Sequence, residues 1–137
     1  MNSKNENVFL WPIRVYYEDT DTGGVVYHAN YLKFMERART EWLRSLEVEQ
    51  DELRDNNGVI FAILSAQVNY LLPAKFNDEL SVSSKVLKKG KASITIEQEV
   101  IRESQVLCKG TIKVATLDDK SFRPKAMPDD VYKKIQQ

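Results

Sequence analysis

Two carboxylates, a pair of glycines and the chain's one histidine fall within a single stretch, Tyr16 to Glu36, which reads YYEDTDTGGVVYHANYLKFME. Asp19 and Asp21 come first, Gly23 and Gly24 follow, and His28 stands just before an apolar periodicity of helical spacing. A positioned carboxylate can attack a carbonyl carbon or draw a proton from water, and an imidazole can pass a proton near neutral pH. Glycine allows the backbone a positive φ or a close approach to a ligand. The first turn of a helix leaves N–H groups unpaired, and these attract carbonyl oxygens and anions. Acid, histidine and free N–H groups in one place are the parts needed to attack an acyl carbon.

Several chemistries compete for these residues. Asp and Gly are ordinary turn residues, so Asp19 and Asp21 can be read as a turn and His28 as a helix-start histidine. A calcium loop would need an oxygen ligand where Gly23 stands and a bidentate glutamate where Asn30 stands. An aspartyl-phosphate enzyme would need a doubly wound parallel sheet and a downstream Lys and acid pair. A serine nucleophile in a G-x-S-x-G elbow is absent from the sequence. Acyl transfer without serine remains: a carboxylate attacks a thioester directly, or activates a water to do so. A thioester suits this weaker nucleophile because a thiolate leaves more readily than an amine. Each well-placed backbone donor to the oxyanion is worth ~3 kcal/mol.

The elements that must position this stretch are legible from period and punctuation. Residues 1–7 are polar and are expected to fray. A first strand is expected over Val8 to Tyr17, with Pro12 marking an edge or a bulge. Asn30 is the expected N-cap of a long helix whose apolar stripe runs through Tyr31, Met35, Ala38, Trp42 and Leu46. A short helix over Val48 to Arg54 ends at the turn signal Asn56-Asn57-Gly58. Strands are then expected over Val59 to Leu72, Leu80 to Lys88, Ala92 to Ile101 and Val106 to Leu117, with a glycine turn at Lys88-Lys89-Gly90-Lys91. Asp129 is expected to cap a short terminal helix. No crossover helices separate the last four strands, so the sheet is antiparallel, and they are expected to follow one another as hairpins. This is an α+β architecture in one domain, 1–137, with one long helix on a five-stranded antiparallel sheet. Its open edges call for an even-numbered oligomer.

Composition narrows the function classes. The chain has 137 residues, with Lys+Arg and Asp+Glu both at 20. Zero net charge argues against a protein held to nucleic acid by bulk charge. The one cysteine, Cys108, excludes an internal disulfide and a multi-cysteine metal site, and it alternates with buried positions as a small core residue. The N-terminus has no signal-peptide core and no apolar run is long enough to span a bilayer, so the expected location is cytoplasmic.

The pattern Tyr17-Glu18-Asp19-Thr20-Asp21-x-x-Gly24-Val25-Val26-Tyr27-His28-x-x-Tyr31, with Glu36 beyond it, resembles the hotdog-fold acyl-CoA thioesterases of the 4-hydroxybenzoyl-CoA thioesterase type, and among them the tol–pal-associated branch. The segment Asn69-Tyr70-Leu71-x-Pro73-Ala74, with Asp78-Glu79-Leu80 after it, is similar to the family's segment at the end of the second strand. The resemblance implies a hotdog fold and hydrolysis of acyl-CoA to free acid and CoA, with a short-chain or aromatic acyl group. It implies Asp21 as the catalytic carboxylate, nucleophile or general base, with His28 beside it and the backbone around His28 as donor to the thioester carbonyl. Gly24, Val25, Tyr27 and Tyr31 are implied at the substrate. Lys89 and Lys91 are implied near the CoA phosphates, although a basic hairpin turn is ordinarily just solvated. The resemblance also implies a homodimer or homotetramer with sites between subunits, no metal and no cofactor beyond the CoA of the substrate. Acyl carrier protein is the alternative carrier. The competing functions on the same fold are a non-catalytic acyl-CoA or acyl-carrier-protein binding module and a hydratase.

Overall fold

The computed structural model describes residues 7–137. The expected fraying of the N-terminus falls, Asn7 apart, outside the described residues. Strands β1 (Phe9–Arg14), β2 (Val59–Tyr70), β3 (Glu79–Lys89), β4 (Ser93–Arg102) and β5 (Gln105–Asp118) form one sheet in the order β1-β3-β4-β5-β2. Every neighbouring pair is antiparallel. Helix α1 (Asn30–Ser45) lies on the sheet, followed by α2 (Gln50–Asn57), and α3 (Asp129–Lys134) closes the chain. Pro12 sits in β1 at an edge, as a residue without an N–H must.

One expectation is corrected. The last four strands are not a simple run of hairpins, because β2 pairs with β5 and not with β3. The tight turns at Lys88–Lys91 and Glu103–Ser104 make true hairpins of β3, β4 and β5. The segment 71–78 has no such turn: it carries Pro73, is longer than a hairpin loop, and takes the chain across to the far side of the sheet. Within β2 the register slips between Ile63 and Ser65, so Leu64 is an extra residue in the strand. Ile63 and Leu64 are 51% and 58% exposed on this free edge.

The stripe of α1 packs as its spacing predicts, burying Tyr31, Phe34, Met35, Ala38, Trp42 and Leu43. Truncating Phe34 to alanine should cost ~3–5 kcal/mol, since it is fully buried. The helix can lie this close because β5 presents Gly110 beneath it: a Cβ there would stand 3.0 Å from the Met35 sulfur. Gly58 ends α2 in the left-handed conformation at φ 66° that the Asn56-Asn57-Gly58 signal predicts.

Candidate active site

Asp19 and Asp21 sit on one loop and do different work. A short turn over Tyr17–Asp19 follows β1. The Asp19 carboxylate accepts the Tyr16 N–H at 2.8 Å and closes that turn. Its carbonyl accepts the Tyr27 N–H at 3.0 Å and the Asn30 side-chain amide at 2.8 Å. Asp19 therefore ties the loop's entry to its exit and to the head of α1. This is also why Asn30 is not the N-cap: its amide is engaged with Asp19, and Ala29 takes the cap position with no side-chain bond.

Asp21 begins a tight turn. Its carbonyl accepts the Gly24 N–H at 3.0 Å and its N–H donates to the Val25 carbonyl at 2.9 Å. Carboxylate Oδ1 accepts the Gly23 N–H at 2.8 Å, and Oδ2 has no hydrogen-bond partner among the described residues. Gly24 has φ 81°, which requires glycine, and an added Cβ would meet nothing within 4 Å. The space in front of the turn is open.

The loop rests on the segment after β2. The Val26 N–H donates to the Ala74 carbonyl at 2.8 Å, and Val25 bridges to Lys75. The Ala74 N–H donates to the Tyr31 hydroxyl at 2.9 Å. Tyr31 is 3% exposed, and burial pushes its phenol up. Below this lies an ion pair, Arg102 to Asp78 at 2.8 Å. Burial works to raise the Asp78 carboxyl, but hydrogen bonds from the Lys75 N–H and Arg102, with the Arg102 charge, outweigh it and hold the group below its ordinary value.

At the head of α1 the first intrahelical bonds are those of Asn30, Tyr31 and Leu32. The N–H groups of His28 and Ala29 donate to no acceptor among the described residues. The exposed His28 ring lies 4.4 Å from the Tyr27 ring and 6.1 Å from the Tyr70 ring, centre to centre. The Tyr70 hydroxyl donates to the His28 carbonyl at 3.0 Å. Val26, His28, Tyr31, Tyr70, Leu71 and Leu72 surround a groove of about 240 Å³.

The structure thus brings Asp21, Gly24, Val25, Tyr27 and His28 onto one loop, with Tyr31 beneath it as a buried core residue. It does not bring Lys89 or Lys91 there. The Glu79 end of β3 adjoins the loop, and Lys89 is at the other end, ~30 Å away at strand rise. The Lys89 ammonium donates to the Tyr132 and Ile135 carbonyls, both at 2.7 Å, and lies 3.9 Å over the Tyr132 ring. Within this chain, then, Lys89 fastens the terminal helix. Lys91 is exposed on the same distant turn. Glu36 is exposed on α1 and accepts the Thr40 hydroxyl at 2.6 Å. Cys108 is fully buried, and burial pushes its thiol up to about 11, which suits a packing residue and not a nucleophile.

Reasoning from residue types misses Tyr70 and the Asp78–Arg102 pair. Tyr70 and Asp78 lie in the 69–80 segment, whose pattern was legible although their roles were not; Arg102 shows only as a turn residue. Among the described residues no cluster of His, Cys, Asp and Glu could hold a metal ion, and no helix is long and apolar enough to cross a membrane.

Comparison with known proteins gives the family and agrees with the fold. The profile of the thioesterase-like superfamily matches residues 15–135. An acyl-CoA thioesterase, YbgC, of Haemophilus influenzae is 44% identical over 126 residues, covering 92% of this chain and 93% of its own. An acyl-CoA thioester hydrolase, also YbgC, of Escherichia coli O157:H7 is 37% identical over 134 residues, covering 97% and 99%. The crystal structure of a probable thioesterase from Bartonella henselae superposes with a TM-score of 0.83 at 28% identity, covering 88% of this chain and 99% of that one.

Proposed function

The chain belongs to the thioesterase-like superfamily, and on that premise we propose that it hydrolyses acyl-CoA thioesters, with Asp21 as the reacting carboxylate. The observation that supports this most is two sets of unspent groups on one loop: among the described residues Asp21 Oδ2 has no partner on its glycine turn, and the His28 and Ala29 N–H groups have none at the helix head. The thioester carbonyl oxygen accepts hydrogen bonds from those N–H groups, which stabilise it as negative charge develops. Asp21 then either attacks the carbonyl carbon or takes a proton from a water that attacks it. Collapse of the tetrahedral intermediate breaks the C–S bond, and the departing thiolate takes a proton from the His28 ring and becomes CoA thiol. Where Asp21 attacked, the acyl group is left on its carboxylate as an anhydride, which water hydrolyses to the free acid; where Asp21 acted as base, the free acid forms directly. The proton released from water returns through solvent to the His28 ring. Asp19 holds the loop, and the Asp78–Arg102 pair holds the segment beneath it.

The groove beside Tyr31 and Tyr70 holds about 240 Å³ and adds Leu71 and Leu72 to the two rings, which supports a short-chain or aromatic acyl group. The reaction calls for no metal and no cofactor beyond the CoA of the substrate. CoA is the proposed carrier, acyl carrier protein the alternative, and the cytoplasm the proposed location. The free β2 edge with Ile63 and Leu64 supports assembly into a homodimer or a homotetramer through that edge. A panel of acyl-CoA esters with thiol release monitored tests the reaction. Release from short or aromatic esters that Asp21→Asn abolishes is the expected result. Binding of the panel without release would assign the fold to a binding module.

A further inference from the structure

Tyr70 ends β2 and has no part in the proposed chemistry beyond lining the groove, yet its hydroxyl reaches the head of α1. It pairs with Cys108 of β5. Its ring stands edge-on to the Tyr31 ring at 5.5 Å and to the His28 ring at 6.1 Å, centre to centre. Tyr31 is itself fixed, since its hydroxyl accepts the Ala74 N–H at 2.9 Å. Packing thus aims the Tyr70 phenol, and its O–H donates to the His28 carbonyl at 3.0 Å. Burial pushes the phenol up, so the hydroxyl keeps its proton and remains a donor at neutral pH.

The two unspent N–H groups at the helix head belong to different peptide units, and those units are held differently. A peptide unit is planar, so fixing its C=O fixes the direction of its N–H. The His28 N–H shares a unit with the Tyr27 carbonyl, which accepts the Asn30 N–H at 2.8 Å from the helix itself. The Ala29 N–H shares a unit with the His28 carbonyl. Among the described residues that carbonyl receives one bond from the helix, the Tyr31 N–H at 3.4 Å, longer than the usual range of about 2.7–3.2 Å. Ala29 takes the cap position with no side-chain bond to steady it. The helix therefore holds this second unit loosely, and the shorter bond to it comes from the sheet, through Tyr70. A hydrogen bond into a carbonyl also draws charge across the amide and makes its N–H a stronger donor.

We propose that Tyr70 is a positioning residue for acyl-CoA hydrolysis: its hydroxyl orients and polarises the His28–Ala29 peptide, so that the Ala29 N–H is aimed at the thioester carbonyl oxygen. This role rests on the proposed reaction and divides the labour of its two donors, one set by the helix and one by the sheet. Tyr70 itself touches no reacting atom. Its effect belongs where charge develops on oxygen, in kcat and not in KM. It is also independent of the acyl group, because every thioester presents the same carbonyl. A Tyr70 that served only as a wall of the groove would act on KM, by an amount that changes with the acyl group.

Tyr70→Phe keeps the ring and removes the donor, so the full chain carrying it, assayed on the acyl-CoA panel, tests the role. Removing an oxyanion donor outright costs ~10²–10³-fold and loosening one costs less, so kcat should fall about tenfold, by a similar factor for every ester that turns over, with KM changed less than about twofold. By NMR the Ala29 amide nitrogen should move upfield as its peptide loses the bond, and the His28 amide nitrogen should move much less. Replacing Tyr70 by 3-fluorotyrosine, a stronger donor of the same shape, should move the Ala29 signal the opposite way and keep kcat at or above wild type. A kcat for Tyr70→Phe within about twofold of wild type would overturn the proposal. So would a loss confined to some acyl groups, or equal shifts at His28 and Ala29. The 3-fluorotyrosine protein decides if Tyr70→Phe fails to fold: an unmoved Ala29 signal there overturns the proposal. A wild type that releases thiol, loses that activity in Asp21→Asn and keeps it in Tyr70→Phe strikes only the role of Tyr70. A wild type that releases no thiol from any ester strikes the proposed reaction itself, and the role of Tyr70 with it.

Discussion

Two acidic loops lie at opposite ends of β2, and both follow a strand. At one end Asp118 accepts the Lys120 N–H at 3.1 Å and the Ser121 N–H at 2.8 Å on one oxygen, and the Lys125 ammonium stands 3.5 Å from the other. Its own N–H donates to the Arg123 carbonyl at 2.8 Å. At the other end Asp21 accepts a single N–H, that of Gly23, and leaves an oxygen unspent in front of an open turn. Neither carboxylate is buried, so burial does not separate them. Acceptor capacity does. A carboxylate with one oxygen taken by two N–H groups and the other facing an ammonium acts as a fastener. One with a free oxygen, on the loop that leads into unpaired helix N–H groups, can meet a carbonyl carbon.

The sharpest way to break this contrast is to neutralise each carboxylate in turn. Asp21→Asn should lower kcat/KM by ~10²–10⁴-fold while the melting curve stays close to wild type, because the proposed reaction puts the lost group on the reacting atoms. Asp118→Asn should leave kcat/KM unchanged. A folded Asp21→Asn enzyme that keeps a tenth or more of wild-type activity removes Asp21 from the reaction.

His28 comes next in expected effect. If its proton goes to the departing thiolate, His28→Ala should lower kcat by roughly tenfold or more and change KM less. A lower melting temperature with an unaltered kcat would return His28 to a structural role at the helix head, leaving Asp21 and the backbone donors as the whole catalytic apparatus.

Much of this contrast was legible in the residues, and the rest was not for a physical reason. The glycine turn, the helix that follows it and the alternating strands are local: spacing and punctuation within a few residues determine them. The family pattern around Asp19 to Tyr31 is local too, and the comparisons bear out the family it pointed to. The pairing of β2 with β5 is not local, and only the length of segment 71–78 hinted at it. Lys89 is the clearest case. A basic hairpin turn looks free in sequence, but its partners are the carbonyls of Tyr132 and Ile135, which only the folded chain brings near. The Asp78–Arg102 pair and the Tyr70 contact to His28 are long-range in the same way.

Asp19→Asn sharpens the contrast within one loop. Among the described residues its carboxylate accepts only the Tyr16 N–H, a bond that an asparagine oxygen can still accept, and the other anchors run through its backbone carbonyl. The substitution should cost less than ~1 kcal/mol of stability and reduce turnover only a few-fold. Equal severity at positions 19 and 21, with both proteins folded, would end the division of roles between them.

The smallest expected effect concerns Asp118 and acid. Backbone hydrogen bonds from Ser121 and Lys120, with a further contribution from Lys125, lower its carboxyl from the ordinary 3.8 to about 2. A group whose folded value is depressed stabilises the fold above its unfolded value and loses that contribution as pH falls through the folded one. The stabilisation from Asp118 is therefore complete above about pH 4 and fades between there and pH 2. Asp118→Asn removes the charge that carries it. Wild type should melt above the variant at pH 6, and the gap should close as both are taken toward pH 2, with kcat at pH 7 the same for the two proteins. The loop is solvated, so the gap should be small. A gap of constant size across that range would mean that Asp118 contributes shape and not charge. A change in kcat would mean that an acidic loop can be fully engaged and still serve the reaction, which the contrast with Asp21 forbids.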